Sequence, residues 1–425
     1  MLDIRLLREK PDFVRERLAT RGGDLSSQID AILAQDADRR RAETELQKYN
    51  AERNRLSKEI GQLRAKKLPS AELEAQVRQI GEQITALNTQ VAEADERQKL
   101  LLLHLPNLPH QSVPIGPDDK ANPMVRVWGE SPTFSFPVRD HIDLATRLRL
   151  VDFERAAKLS GSGFVCFTNL GARLERGLIQ FLLDLHTEKH GYIEIAPPFL
   201  VRSETMVGTG QLPKFGDEDM CYGLDNDGLY LIPTAEVPVT NLHREETVPG
   251  TDLPKRFVAH TPCFRREAGA AGKETRGLIR MHQFDKVELV KITTPETSYQ
   301  ELESLTADAE EVLQLLGLHY RVIEHCSGDL GATAAKSYDI DVWAPGQGQF
   351  LEVSSCSNCE DFQARRMNLK FKDSEGKNRL CHTLNGSGTA LPRLFVALIE
   401  TYQQADGSIQ VPEPLWDYLK VKVIK

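Results

Sequence analysis

Between residues 26 and 67 the chain repeats a stripe at Ala42, Leu46, Tyr49, Arg53, Leu56, Ile60 and Leu63, in strictly alternating steps of four and three. That period, without an internal proline, predicts a helix whose seam faces a partner helix. Leu68-Pro69-Ser70 breaks the pattern. A second stripe follows at once through Leu73, Val77, Ile80, Ile84, Leu87, Val91 and Ala94, with Ser70 placed as N-cap and Glu72 and Glu74 in the first turn. Two such helices joined by a three-residue turn predict an antiparallel coiled-coil hairpin over residues 27–100. At about 1.5 Å per residue, its helices are about 45–60 Å long. Ahead of it, Leu6, Phe13, Val14 and Leu18 predict one short helix closed by Arg21-Gly22-Gly23.

Four prolines between residues 103 and 119 end the coil. We place the helical arm at 1–103, a linker at 104–119 and a second domain at 120–425. In that domain helical stripes (Leu174, Leu178, Phe181, Leu182, Leu185, and again over 301–316) mix with strand alternation at 192–196 and 338–343, which predicts an α+β fold. The stretch 263–291 reads as strand, loop, strand. Its return segment alternates Ile279, Met281, Val287 and Leu289 with Arg280, His282, Phe284, Lys286 and Glu288, so one face packs and the other carries chemistry.

With 425 residues, 40% hydrophobic and 27% charged, the chain is long enough for two or three domains with a sizeable core. A net charge of -9 gives no overall attraction to nucleic acid. The first arm helix is nevertheless basic, ten Lys/Arg against seven acids over 27–67, whereas residues 71–99 hold three against six. Such a helix suits a phosphate backbone; a dimerisation or spacer coil with solvated charges is the plainer reading. No signal peptide is apparent at the N-terminus, and the longest apolar cluster, 100–105, is far too short to span a bilayer, so a cytoplasmic protein without a membrane partner is expected. Seven cysteines form no disulfide framework, and Cys356-Ser-Asn-Cys359 is half a zinc site lacking a second pair.

Several short runs carry candidate chemistry. Arg265 and Arg280 offer planar forks for carboxylate or phosphate, although a polar hairpin with a basic tip is also an ordinary solvated surface. The loop between them holds Gly272-Lys273, but Glu274 stands where a Walker loop needs Ser or Thr. Thr234-Ala235-Glu236, stiffened by Pro233 and Pro238, presents a hydroxyl and a carboxylate suited to a small ammonium. Glu352 with Ser354 and Ser355 supplies hard oxygens of the kind magnesium prefers beside a triphosphate. Gly386-Ser387-Gly388 reads as a turn leading through Pro392 and Arg393 into an apolar helix, and it lacks the Gly-x-Ser-x-Gly elbow of hydrolases.

Phe264-Arg265-x-Glu267, the glycine-rich loop, and then Arg280, Phe284 and Glu288 resemble motif 2 of the class II aminoacyl-tRNA synthetases. The helix and strand ending in Pro197-Pro198 resemble motif 1, and Arg393 at its helix start resembles motif 3. The wording is close to that of the seryl-tRNA synthetases of bacterial type. The resemblance implies an antiparallel sheet flanked by helices behind the coiled-coil arm. It implies ATP-dependent ligation of L-serine to serine tRNA through a seryl-adenylate, with selenocysteine tRNA also charged where present. It also implies a homodimer built through motif 1, and an arm that reads the long variable arm of tRNA.

Carried across residue by residue, Arg265 bridges the α-phosphate and the serine carboxylate, Glu267 reads the adenine amino group and Phe284 stacks on the ring. Arg280 and Arg393 hold the outer phosphates, and Mg2+ sits on Glu352 and Ser355. Arg266, Val353 and Ser354 complete the implied ATP contacts. Glu288, Asn385 and Ser387 bond the serine hydroxyl, while Thr234, Ala235 and Glu236 close on its amino group. Two rival functions stand beside this one: an amino acid ligase that loads a carrier protein, whose kind lacks the arm, and a scaffold built on an inactive synthetase fold.

Overall fold

The computed structural model describes residues 1–217, 220–224, 226–267 and 277–425. The chain divides into two compact units, residues 1–19 with 23–106 and residues 20–22 with 107–425.

The first unit is helical: α1 (Ile4–Glu9), α2 (Pro11–Ala19), α3 (Ser26–Ala65) and α4 (Ala71–Leu103). Two short helices stand where one was expected, because Pro11 has no N–H to continue the ladder of α1 and its fixed φ suits a new first turn. Helices α3 and α4 run antiparallel, with Arg64 on Glu74 at 2.9 Å near the turn and Gln98 on Asp36 at 3.2 Å at the far end. The seam buries Ala42, Leu56 and Ile60 from α3 and Ile84, Leu87 and Ala94 from α4, as the heptads require. Tyr49 departs from the stripe and is exposed. Ser70 occupies the N-cap position, but its hydroxyl donates to Glu74 Oε1 at 2.6 Å instead of capping the backbone.

The second unit is built on an eight-stranded sheet. Its strands are β1 (Met124–Trp128), β2 (Ile193–Glu194), β3 (Lys255–Phe264), β4 (Gln283–Thr293), β5 (Tyr320–Glu324), β6 (Lys336–Ala344), β7 (Gln349–Asn358) and β8 (His382–Ala390). They lie in the order β1-β5-β6-β7-β8-β4-β3-β2, antiparallel except for the short β2–β3 pair. Helices α5 (Asn169–Asp184), α7 (Ser298–Leu315) and α8 (Leu391–Thr401) contribute to the main core, where Leu178, Leu305 and Phe395 meet Val287, Leu289, Ile340 and Leu384. The short helix α6 (Glu236–Thr240) belongs to a smaller cluster in which Ala235 and Val239 meet Ala259, Val290 and Ile292.

Three register shifts interrupt the ladders of the described residues, one at Met124–Arg126 in the β1–β5 pair and two near the centre of the sheet. Asp341 pairs with Glu352 and Ile340 with Ser354, which leaves Val353 as the extra residue of β7. Ser387 pairs with Glu288 and Thr389 with Val287, which leaves Gly388 as the extra residue of β8. Such bulges reverse which side chains face which way beyond the insertion.

Candidate active site

Residues directly opposite one another in a ladder share a face, and along one strand the face repeats every second residue. Glu288 lies opposite Ser387 and Asn385 lies opposite Val290, so Phe284, Lys286, Glu288, Asn385 and Ser387 are on one side. Asn385 lies opposite Ser357, which brings Ser355 to the same side of β7. The bulge at Val353 then turns Glu352 to that side as well, opposite Asp341, while Asp339 stands opposite Ser355. This is the face away from the main helical core, and a cavity of about 130 Å³ opens on it. Arg265, Glu267, Arg280, Phe284, Lys286, Glu352, Ser387 and Arg393 are among the residues lining it.

One end of the site is small and polar. Glu288 is almost wholly buried, and its carboxylate accepts from Asn385 Nδ2 at 3.1 Å and from Ser387 Oγ at 3.4 Å. Lys286 Nζ lies 2.5 Å from Glu288 Oε2 and donates to Thr234 Oγ1 at 2.7 Å. Glu236 is also buried, and its Oε1 accepts from Gln363 Nε2 at 2.7 Å. Burial, and then the charge of Glu288, push the carboxyl of Glu236 up to about 7, against the opposing pull of Gln363, Lys286 and Arg265. Gln363 is held in turn by Thr383, which donates to its Oε1 at 2.7 Å, and it donates to Thr209 O at 3.1 Å. The backbone at Thr209 therefore backs this end of the site.

The other end is larger and basic. Arg265 lies at the end of β3, with its backbone N–H on His282 O at 2.8 Å and its guanidinium 5.3 Å from the centre of the Phe284 ring. Arg393, in the first turn of α8 just after Pro392, donates to Ile279 O at 3.2 Å and Glu352 O at 2.8 Å. Glu267 has a left-handed backbone, φ 49°, rare for a residue with a side chain, and its carboxylate receives Arg280 Nε. The two residues that the resemblance sends to opposite ends of ATP thus touch each other here. A second cavity, about 260 Å³, shares Arg265, Glu267, Arg280 and Arg393. Desolvation and then the charge of Asp339 raise the carboxyl of Glu352, opposed by Arg393 and Arg265.

A magnesium ion fits the donors on this face. Glu352 and Ser355 present a carboxylate and a hydroxyl to the same face, and no cluster of three His, Cys, Asp or Glu able to hold a metal occurs among the described residues. Two hard oxygens suit an ion that takes its remaining ligands from water and phosphate.

The structure separates other expected contacts from this face. Ser354 points to the opposite side and donates to Ser387 O at 2.6 Å, whereas Val353, which packs in the main core, also lines the cavity. The methyl of Ala235 is buried in the smaller cluster. Arg266 stacks near Tyr222, 5.6 Å from its ring centre, and does not line the main cavity. Gly386-Ser387-Gly388 is strand, not turn. A Cβ on Gly386 would come within 2.4 Å of Leu305 Cδ2, and one on Gly388 within 2.9 Å of His186 Nε2, so these glycines serve close approach. The alternation expected from residue 279 begins as strand only at Gln283. The glycine-rich loop, residues 268–276, lies outside the described residues. The sequence motifs assign no role to Lys286 or Gln363. Lys286 shares the parity of Phe284 and Glu288, which was the available signal; Gln363 carried none.

The chain matches two family models: the seryl-tRNA synthetase N-terminal domain over residues 1–109, and the class II tRNA synthetase core domain (G, H, P, S and T) over residues 222–402. It is 56% identical over 425 residues to the serine–tRNA ligase of Akkermansia muciniphila, covering all of this chain and 99% of the relative. It is 52% identical over 423 residues to that of Methylacidiphilum infernorum, covering 99% of each. Among solved structures it is similar to the seryl-tRNA synthetase of Pyrococcus horikoshii complexed with ATP, with a TM-score of 0.93 and 41% identity over 100% of this chain and 99% of that one.

Proposed function

The chain belongs to the seryl-tRNA synthetase family, and from that membership we propose that it ligates L-serine to serine tRNA using ATP, through a seryl-adenylate. The observation that carries this reading is the continuity of one sheet face. A buried carboxylate with hydroxyl and amide partners (Glu288, Ser387, Asn385) sits beside a cavity ringed by Arg265, Arg280 and Arg393. A small amino acid and a nucleotide triphosphate therefore have adjoining sites.

In the first step the serine carboxylate oxygen attacks the α-phosphorus, the bond to the bridging oxygen breaks, and pyrophosphate leaves. Arg265 spans the two reactants, neutralising charge on the carboxylate and on the α-phosphate, and it cannot lose its proton in doing so. Phe284 offers its ring face to adenine. Arg280, released from Glu267, and Arg393 hold the outer phosphates, and the freed Glu267 accepts from the adenine amino group. Glu288 accepts from the serine hydroxyl, while Thr234 and Glu236 take its ammonium. Glu352 and Ser355 hold magnesium, which when bound neutralises phosphate charge. In the second step a ribose hydroxyl at the tRNA 3′ end attacks the acyl carbon and AMP leaves. Positioning and charge complementarity do most of this work.

Residues 1–103 form the tRNA-reading arm in this proposal, with the linker over 104–119 and the catalytic domain over 120–425. The protein acts as a cytoplasmic homodimer. No helix among the described residues is long and apolar enough to cross a membrane. In cells that contain it, selenocysteine tRNA is charged with serine by the same site, and a transcript of that tRNA tests the point directly.

Serine-dependent exchange of labelled pyrophosphate into ATP, followed by transfer to total tRNA, tests the whole reading. Exchange with serine only, and transfer confined to serine tRNAs, is the expected result. Exchange without transfer would favour the carrier-protein ligase. Absence of exchange with every amino acid would leave the scaffold.

A further inference from the structure

Lys286 is buried at a point where three segments meet. Its ammonium donates to Thr234 Oγ1 at 2.7 Å and lies 2.5 Å from Glu288 Oε2. These are the two side chains that the serine reading gives to the amino group and the hydroxyl of the substrate. Thr234 Oγ1 also accepts from the Glu236 N–H at 3.2 Å, so both lone pairs of that hydroxyl are engaged. An incoming ammonium finds Thr234 already occupied by an ammonium. Glu288 is different: each of its carboxylate oxygens accepts two bonds, so a lysine and a serine hydroxyl fit together.

We propose that Lys286 is the positioning residue of the amino-acid subsite, a resident ammonium that ties Thr234 to Glu288 in the empty enzyme, yields Thr234 to the amino group of serine, and stays on Glu288 as its counter-charge. The proposal rests on the serine reading above. Two like charges on one hydroxyl repel, so release of Thr234 accompanies binding. A carboxylate that accepts from a fixed ammonium matches the donor O–H of serine and finds nothing to accept from in alanine. Among the described residues, Glu236, Arg265 and Cys263 also stand near the ammonium. None replaces it, since Glu236 is acidic, Cys263 is a buried thiol and Arg265 lies against Pro233 O and the Phe284 ring.

Lys286→Met keeps the length of the side chain and removes the charge. In pyrophosphate exchange the KM for serine rises at least about tenfold, the KM for ATP stays within about twofold, and the preference for serine over alanine falls at least about tenfold. Lys286→Gln is read in the same way if the methionine variant fails to bind ATP. An unchanged serine KM and preference in a variant that binds ATP would overturn the proposal. So would a proportional rise in both KM values, which marks a scaffold role. Wild-type enzyme without serine-dependent exchange removes the functional reading itself, a result separable from either of these.

Discussion

Glu352 and Ser355 face the same side of β7 although they are three residues apart, because Val353 is the extra residue of a bulge between them. Strict alternation would have paired Glu352 with Ser354. Instead the hydroxyl of Ser354 is on the opposite side, bonded to Ser387 O at 2.6 Å. The two serines therefore separate by experiment. Ser355→Ala and Glu352→Gln raise the magnesium concentration that half-saturates exchange, by about tenfold for the charged ligand. Ser354→Ala leaves that concentration within about twofold and raises the KM for serine, since it loosens the backbone that carries Ser387. A magnesium titration at fixed ATP and serine distinguishes the three variants.

The carboxyl of Glu236 sits at about 7 because it is buried beside Glu288, and this sets a pH dependence with a definite sign. Below about 7 it holds a proton that it must lose to pair with the serine ammonium. The KM for serine therefore falls as pH rises from 6 to 8, by at most about tenfold per unit below the midpoint. The fold responds in the opposite sense. Between the ordinary glutamate range and about 7 the folded state binds more protons than the unfolded one, so stability declines as pH rises through that window. Glu236→Gln removes this group's share of both slopes. Serine KM and melting temperature measured from pH 5 to 8 check the two signs on one pair of proteins.

Gly386 is an interior strand residue whose missing side chain brings β8 close to α7 and β7. A methyl there would meet Leu305 Cδ2 at 2.4 Å and Cys356 Sγ at 2.8 Å, both on fully buried residues. Gly386→Ala is expected to destabilise the catalytic unit by about 1–3 kcal/mol through overpacking. It also displaces Asn385 and Ser387 on either side, so serine activation drops more than ATP binding. Chemical denaturation together with the two KM values tests this, and a variant as stable as wild type would show that the contact relaxes freely.

What could be read from the chain divides along physical lines. The arm was legible because a heptad seam depends on local spacing alone, and Leu56, Ile60, Ile84 and Leu87 lie buried as their positions require. Arg265, Glu267, Arg280, Phe284 and Glu352 were legible as a set through resemblance, and all of them line one cavity. The side on which Ser355 lies was not, because a bulge is a property of two paired strands and leaves no mark in either one. Gly386-Ser387-Gly388 looked like a turn since glycine usually signals one; here it signals neighbours that approach from other parts of the chain. Gln363, over a hundred residues from Glu236, carried no local pattern at all.

The seam of the arm offers a test that separates the two units. Leu56 is buried in α3 of the hairpin. Leu56→Asp places a charge in that apolar seam, where no cation stands in the stripe of α4, and a buried unpaired carboxylate loosens helix pairing by several kcal/mol. Because the arm forms a unit of its own, serine-dependent exchange stays within about twofold of wild type while transfer to tRNA falls at least about tenfold. Arg55, exposed one position away and bonded to Glu52, provides the control: Arg55→Ala changes the charge of the basic helix without touching the seam. Its effect on transfer weakens further as salt rises if that charge meets phosphate, whereas the effect of Leu56→Asp persists at every salt concentration. Equal loss of exchange and transfer in Leu56→Asp would mean that the two units do not act separately.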